Sequence, residues 1–150
     1  MGPLLTLQDA EIFPDAGRTE DFSAFNRRVA VKVALCDREN MIALVGTKYR
    51  LLPGGGVESN ETLEQAVIRE CLEEVGCSVD NIKEIATALE YRAKTRRHQT
   101  THFFTATLRG EKGVPETSQV DEQGIQVEWF TQNEAIALLE KQLKETLIQP

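Results

Sequence analysis

Val29, Val31 and Val33 alternate with Ala30, Lys32 and Ala34, and this period of two predicts a strand. Asp37-Arg38-Glu39-Asn40 reads as a turn, with Met41 to Val45 as the partner strand. Leu51 to Val57 holds Pro53 and three glycines and is expected to be a loop. The strongest helix signal follows. Thr62 and Gln65 have the spacing of a capping box, with Thr62 as N-cap. Leu63, Ala66, Val67, Cys71, Leu72 and Val75 then recur at helical spacing, and Gly76 supplies a C-terminal stop. Ile82 to Tyr91 and His102 to Leu108 read as strands, joined by a polar, basic hairpin connection from Arg92 to Thr101. Arg109 to Gln126 is rich in loop residues, Val127 to Phe130 reads as a short strand, and Asn133 to Leu147 as a terminal amphipathic helix carrying Ala135, Ile136, Leu138, Leu139 and Leu143. No repeat, low-complexity segment or linker interrupts the pattern. Mixed strands with two helices predict an α/β fold, a sheet covered by helices on opposite faces.

Composition narrows the class. A chain of 150 residues fits one domain, 1–150, with enough length to bury a core. No apolar run approaches the roughly 20 residues that span a bilayer. Met1 to Ala10 lacks the basic start and long apolar stretch of a secretory signal, so the expected place is the cytoplasm, away from membranes. The net charge of -7 gives no general attraction for duplex nucleic acid. It leaves room for a small phosphorylated substrate, because a bound divalent cation inverts the local field. Cys36, Cys71 and Cys77 are odd in number and lack ligand-like pairing, which argues against both a disulfide framework and a zinc site. Cys71 is expected to act as a small buried hydrophobe. A homodimer is the assembly to test.

The candidate chemistry lies on the first helix. Glu70, Glu73 and Glu74 stand at i, i+3 and i+4 and share one face, within an arc of roughly 100°. On the helical wheel Leu63 falls between Glu70 and Glu74, and the main apolar arc begins beside Glu74. The carboxylates therefore crowd the edge of the apolar face, where partial burial and mutual repulsion are both costly. The plain alternative is a solvated face of helix-favouring glutamates. A hard divalent cation relieves the repulsion, and magnesium takes one or two carboxylates together with waters and phosphate oxygens. Pro53-Gly54-Gly55-Gly56, just before the helix, is neither a P-loop nor a dinucleotide fingerprint. Its place allows backbone carbonyls to reach the same metal.

Gly55, five residues, Glu61, seven residues and then Arg69-Glu70-Cys71-Leu72-Glu73-Glu74-Val75-Gly76-Cys77 resembles the Nudix box. Every charged and glycine position of that pattern is filled; its two bulky apolar positions are cysteines here, Cys71 and Cys77. The match covers 23 residues, Gly55 to Cys77, and Leu52 to Glu58 and Val127 to Phe130 are similar to common Nudix surroundings. The resemblance implies an α/β/α sandwich with a mixed sheet. It also implies hydrolysis of a nucleoside diphosphate linked to another moiety, with Mg2+ or Mn2+. Carried over by position, Glu70, Glu73 and Glu74 become metal ligands, one of them also a base toward water, with the base left unassigned. Gly54 would offer its carbonyl to a metal, and Arg69 would orient the glutamates through salt bridges with Glu61 or Glu73. Two other readings stand beside the enzyme: a Nudix-fold module that senses a nucleotide without turning it over, and a structural domain with no ligand. The complete set of box glutamates favours the enzyme.

Weaker signals lie outside the box. Asp121 and Glu122 are candidates for a further acidic metal ligand, against a solvated acidic turn. Arg96 and Arg97, with Lys94, His98 and Arg92, could receive the distal part of an anionic substrate, and Arg50 and Lys48 could reach phosphate. Trp129 is expected in the core. His98 and His102 are expected in loop and strand and are not read as ligands. The sequence does not separate nucleoside triphosphates, nucleotide sugars, dinucleoside polyphosphates and ADP-ribose.

Overall fold

The computed structural model describes residues 4–8, 24–116 and 124–148. Its elements are β1 (Leu4–Gln8), β2 (Asn26–Cys36), β3 (Ile42–Gly46), β4 (Gly54–Gly56), α1 (Leu63–Glu70), β5 (Ser78–Arg92), β6 (Arg97–Arg109), β7 (Gln126–Phe130) and α2 (Gln132–Ile148). One sheet runs β1-β5-β6-β2-β3-β7, with β4 paired to β2. The β1–β5 and β2–β6 pairs are parallel and the rest antiparallel, so the sheet is mixed.

The period of two in β2 sends Val31, Val33 and Leu35 to one face, all fully buried. They meet Ala43 and Val45 of β3, Phe104 and Ala106 of β6, Ala66 and Val67 of α1, and Cys71 just beyond its end in a single apolar cluster, with Trp129 packed against it. Burial of this apolar surface is the main force that fixes α1 on the sheet. The second helix, α2, lies on the other face against β3 and β7, where Leu44 and Ala135 are buried. The architecture is thus the expected α/β/α sandwich. Cys71 and Cys77 are buried, Cys36 half-buried, and all three are free thiols.

Four features differ from the sequence expectation. The glycine segment is not wholly a loop: Gly54, Gly55 and Gly56 pair with Lys32, Val31 and Ala30. A side chain would forbid this, since a Cβ on Gly54 would stand 2.0 Å from the Val31 carbonyl oxygen, at a φ of +155°. The basic connection is shorter than expected. Strands β5 and β6 continue to Arg92 and from Arg97, which puts His98 in a strand with its ring stacked on Tyr91, centroids 4.4 Å apart. Helix α1 does not finish as an α-helix: Cys71–Val75 winds as a π-helical turn before Gly76. On α2, Ile136 and Leu143 are exposed, and the helix packs mainly against β3 and β7.

Candidate active site

The capping box forms as the sequence requires. The Gln65 N–H donates to Thr62 Oγ1 at 3.1 Å and the Thr62 N–H to Gln65 Oε1 at 2.9 Å. At the other end Gly76 adopts φ +72°, and its N–H and that of Cys77 donate to the carbonyls of Leu72 and Cys71. Between these stops the helix carries its carboxylates against β4. Glu70 and Glu74 are only 5% and 8% exposed. A Cβ on Gly55 would lie 2.5 Å from Glu70 Oε1, so the second glycine of the segment is the space that Glu70 occupies. The Gly54 N–H points at Glu74 Oε1, 3.3 Å away.

Arg69 organises the carboxylates. Its Nε and Nη2 grip Glu61 at 2.7 and 3.0 Å, Nη2 also donates to the Gly56 carbonyl at 2.9 Å, and Nη1 reaches Glu70 at 2.8 Å and Glu73 at 3.4 Å. Both partners named from the sequence, Glu61 and Glu73, are engaged. The bond from Arg69 holds the Glu61 carboxyl below the ordinary carboxylate range. Glu74 is different: burial first, then its bond to and repulsion by Glu70, push its carboxyl up to about 8, against the pull of Lys32 and the Gly54 N–H.

Two buried carboxylates facing each other, one of them driven toward its neutral form, make a pair in need of a cation. Among the described residues no three acidic, histidine or cysteine side chains converge into a ready-made cage. Magnesium does not need one, since one or two carboxylates suffice when waters and substrate phosphates complete the shell. The donor set fits such an ion, with Glu70 and Glu74 as its centre, Glu73 turned toward Arg69 and Gly54 alongside.

The outlying candidates fall into different places. Arg50 is held by protein acceptors: Nε and Nη2 bond Glu128 and Gln126 at 2.8 Å each, and Nη1 bonds the Gly46 and Thr47 carbonyls at 3.0 and 3.1 Å. Phosphate contact would require exchanging those bonds. Arg96 sits in the tight turn at φ +52° with its guanidinium 5.8 Å from the Phe25 ring, and Arg97 opens β6. Asp121 and Glu122 lie outside the described residues. Trp129, expected in the core, is half-buried and packs against its edge, with the Lys112 ammonium 4.2 Å from its ring centroid. His102 pairs with Glu84.

Sequence reasoning missed Lys32. Its ammonium donates to the Leu52 carbonyl at 3.1 Å and lies in the field of Glu74 and then Glu70, while burial lowers its pKa. The signal was present as the one charge inside an otherwise apolar strand, Val29 to Leu35.

A carboxylate-bearing helix packed on a mixed sheet and capped by a glycine segment defines a class, and the comparisons agree on it. The NUDIX domain model matches residues 26–149, and the chain belongs to the Nudix family. It is 29% identical to mouse (Mus musculus) diphosphoinositol polyphosphate phosphohydrolase 3-alpha over 131 residues, 85% of this chain and 77% of that protein. It is 35% identical to an RNA pyrophosphohydrolase of Tolumonas auensis over 75 residues, 46% of this chain and 43% of the other. Its fold matches a NUDIX-family hydrolase of Clostridium perfringens with a TM-score of 0.59 at 21% identity, covering 81% of this chain and 97% of that one. The chain is a Nudix-type pyrophosphohydrolase, a hydrolase of acid anhydrides that cleaves a diphosphate linkage in a nucleotide derivative. The family generally works with divalent metal ions.

Proposed function

We propose that this enzyme is magnesium-dependent, with Mn2+ able to substitute, and that residues 1–150 act as one catalytic domain on a nucleoside diphosphate derivative. The observation that carries the reading is the buried Glu70–Glu74 pair beside Gly54. Glu70, Glu73 and Glu74 hold the metal, the Gly54 carbonyl adds a backbone oxygen, and Glu122 is a further acidic candidate. When bound, the ion stabilises charge developing on the phosphate oxygens and lowers the pKa of a coordinated water. Arg69 fixes the directions of Glu70 and Glu73 while neutralising part of their charge. One of the box glutamates takes the proton from the attacking water. Arg96, in the β5–β6 turn, and Arg97, at the start of β6, meet the distal part of the substrate, and Arg50 does so only if its present bonds open. The free buried thiols support a cytoplasmic setting, and a homodimer is the assembly to test by sedimentation; no described helix is long and apolar enough to cross a membrane.

The test is a phosphate-release screen with magnesium over nucleoside triphosphates, nucleotide sugars, dinucleoside polyphosphates and ADP-ribose. Because of the mouse relative's name, a diphosphoinositol polyphosphate belongs in the panel. Turnover should vanish in chelator and return with magnesium or manganese. Full turnover in excess chelator would end the metal mechanism.

A further inference from the structure

Lys32 is placed by the same four residues that place the carboxylates. Its Nζ bonds the Leu52 carbonyl, 3.1 Å away. Its backbone neighbour across the sheet is Gly54, whose N–H points at Glu74. The next residue, Gly55, leaves the space that Glu70 fills. Leu52 to Gly55 is therefore a short bridge with an ammonium on one side and two buried carboxylates on the other. In β2 Lys32 alternates with the fully buried Val31 and Val33, so its half-buried side chain points to the opposite face, where the Leu52 carbonyl anchors it. Arg28, four residues before Lys32 on the same side of the strand, is turned to Gln99 at 2.7 Å.

We propose that Lys32 is a tethered cation that competes with the metal for Glu70 and Glu74, and so sets metal affinity. The inference rests on the reading of those glutamates as metal ligands. Without metal, the ammonium offsets part of the negative charge confined on the Glu70–Glu74 pair. With metal, a third positive charge stands near an ion that is already doubly charged, and it weakens binding. The anchor on Leu52 favours keeping the ammonium nearby. The consequence is an ion that is held loosely enough to depend on the phosphate oxygens of the substrate for its remaining affinity.

The experiment measures Mn2+ alone, with no substrate, by the paramagnetic resonance signal of the free ion. Lys32→Met keeps length and apolar stem and removes charge; Lys32→Arg keeps charge. The Met variant should bind Mn2+ about tenfold more tightly, the scale of one partly screened charge near the ion. The Arg variant should stay close to wild type. In chelator the Met variant should melt lower than wild type, and saturating Mn2+ should raise its melting temperature by more. If the Met variant does not fold, Lys32→Gln carries the same expectation. Unchanged or weaker Mn2+ binding in the neutral variants overturns the inference while leaving the metal reading intact. A wild-type protein that binds no Mn2+ and turns over without metal overturns both.

Discussion

At the scale of single residues, the site is a contest between burial and charge, and Glu74 shows it best. Its raised pKa means that the metal-free folded protein holds a proton that the unfolded chain gives up near 4.5. Between about 4.5 and about 8 the folded state binds more protons than the unfolded one, so metal-free stability should fall as pH rises through that window. Glu74→Gln should flatten this slope, hold or slightly raise stability in chelator, and cut kcat/KM by orders of magnitude. Melts in chelator from pH 5 to 8, with kinetics on the best substrate, check both halves. Wild-type kcat/KM in this variant would remove Glu74 from the site. Glu61 has the opposite sign. Its depressed pKa gives stability that is complete above about 4.5 and lost as pH falls through the lower folded value. Glu61→Gln should therefore make the protein less stable at pH 6 and less sensitive to acid below pH 4, as read by urea unfolding at each pH.

Much of this chemistry was legible in the residues themselves. Three glutamates at i, i+3 and i+4 on the edge of an apolar arc have few arrangements open to them, and Arg69 four residues before Glu73 has carboxylates within reach. Lys32 was not legible in the same way. A lysine in a strand reads as an outward, solvated residue, and only the pairing of β4 with β2 shows that glycines and carboxylates lie beside it. Arg50 shows the reverse. A free cation before a glycine segment is an ordinary phosphate candidate in one dimension, but in three dimensions Glu128 and Gln126, more than 70 residues later, bond its guanidinium.

At the scale of elements, the caps of α1 were readable and its interior was not. Thr62, Gln65 and Gly76 are local signals, each fixed by backbone groups within a few positions. The π-helical turn at Cys71–Val75 depends on what surrounds the helix end. There Gly113 and Gly76 face each other so closely that a Cβ on Gly113 would stand 2.1 Å from the Gly76 carbonyl oxygen. Gly76→Ala must meet both a left-handed φ and the Val114 carbonyl oxygen at 2.2 Å. It should destabilise by about 2 kcal/mol or more, one part from the left-handed conformation and the rest from the clash. Urea unfolding measures it, and a loss under about 0.5 kcal/mol would show that the turn relaxes freely. The β5–β6 turn poses a different question. Replacing Arg96 and Arg97 with alanine should raise KM more than it lowers kcat if the pair holds a distal anionic group. Unchanged kinetics would return both to a solvated role.

At the scale of the whole molecule, α2 is tied to the sheet by a small number of directional bonds. Gln142 accepts from the Arg50 N–H at 2.8 Å and donates to the Arg50 carbonyl at 2.6 Å, closing the helix over the segment that follows β3. Gln142→Ala should cost about 1–2 kcal/mol, two net hydrogen bonds. Because α2 buries few large side chains, its amides should exchange with solvent faster in the variant while those of β2 and β6 keep their protection. Equal acceleration in all three elements would mean that the helix is cooperative with the core.

The parallel pairing of β2 with β6 bears on how the chain comes to exist at all. Its eleven registered pairs join residues a constant 71 positions apart, as Arg28 and Gln99 are. No hairpin can begin that zipper. The chain must close a long loop before the central ladder contributes anything, which places folding among the slower, non-local topologies. During synthesis the box helix leaves the ribosome before β6 does, so Glu70 and Glu74 meet water, and any free cation, ahead of the strand that supplies Phe104 and Ala106 to the core beneath that helix. At roughly 5–20 residues per second, that interval lasts seconds. The box carboxylates are thus made before the central ladder that completes the sheet under their helix.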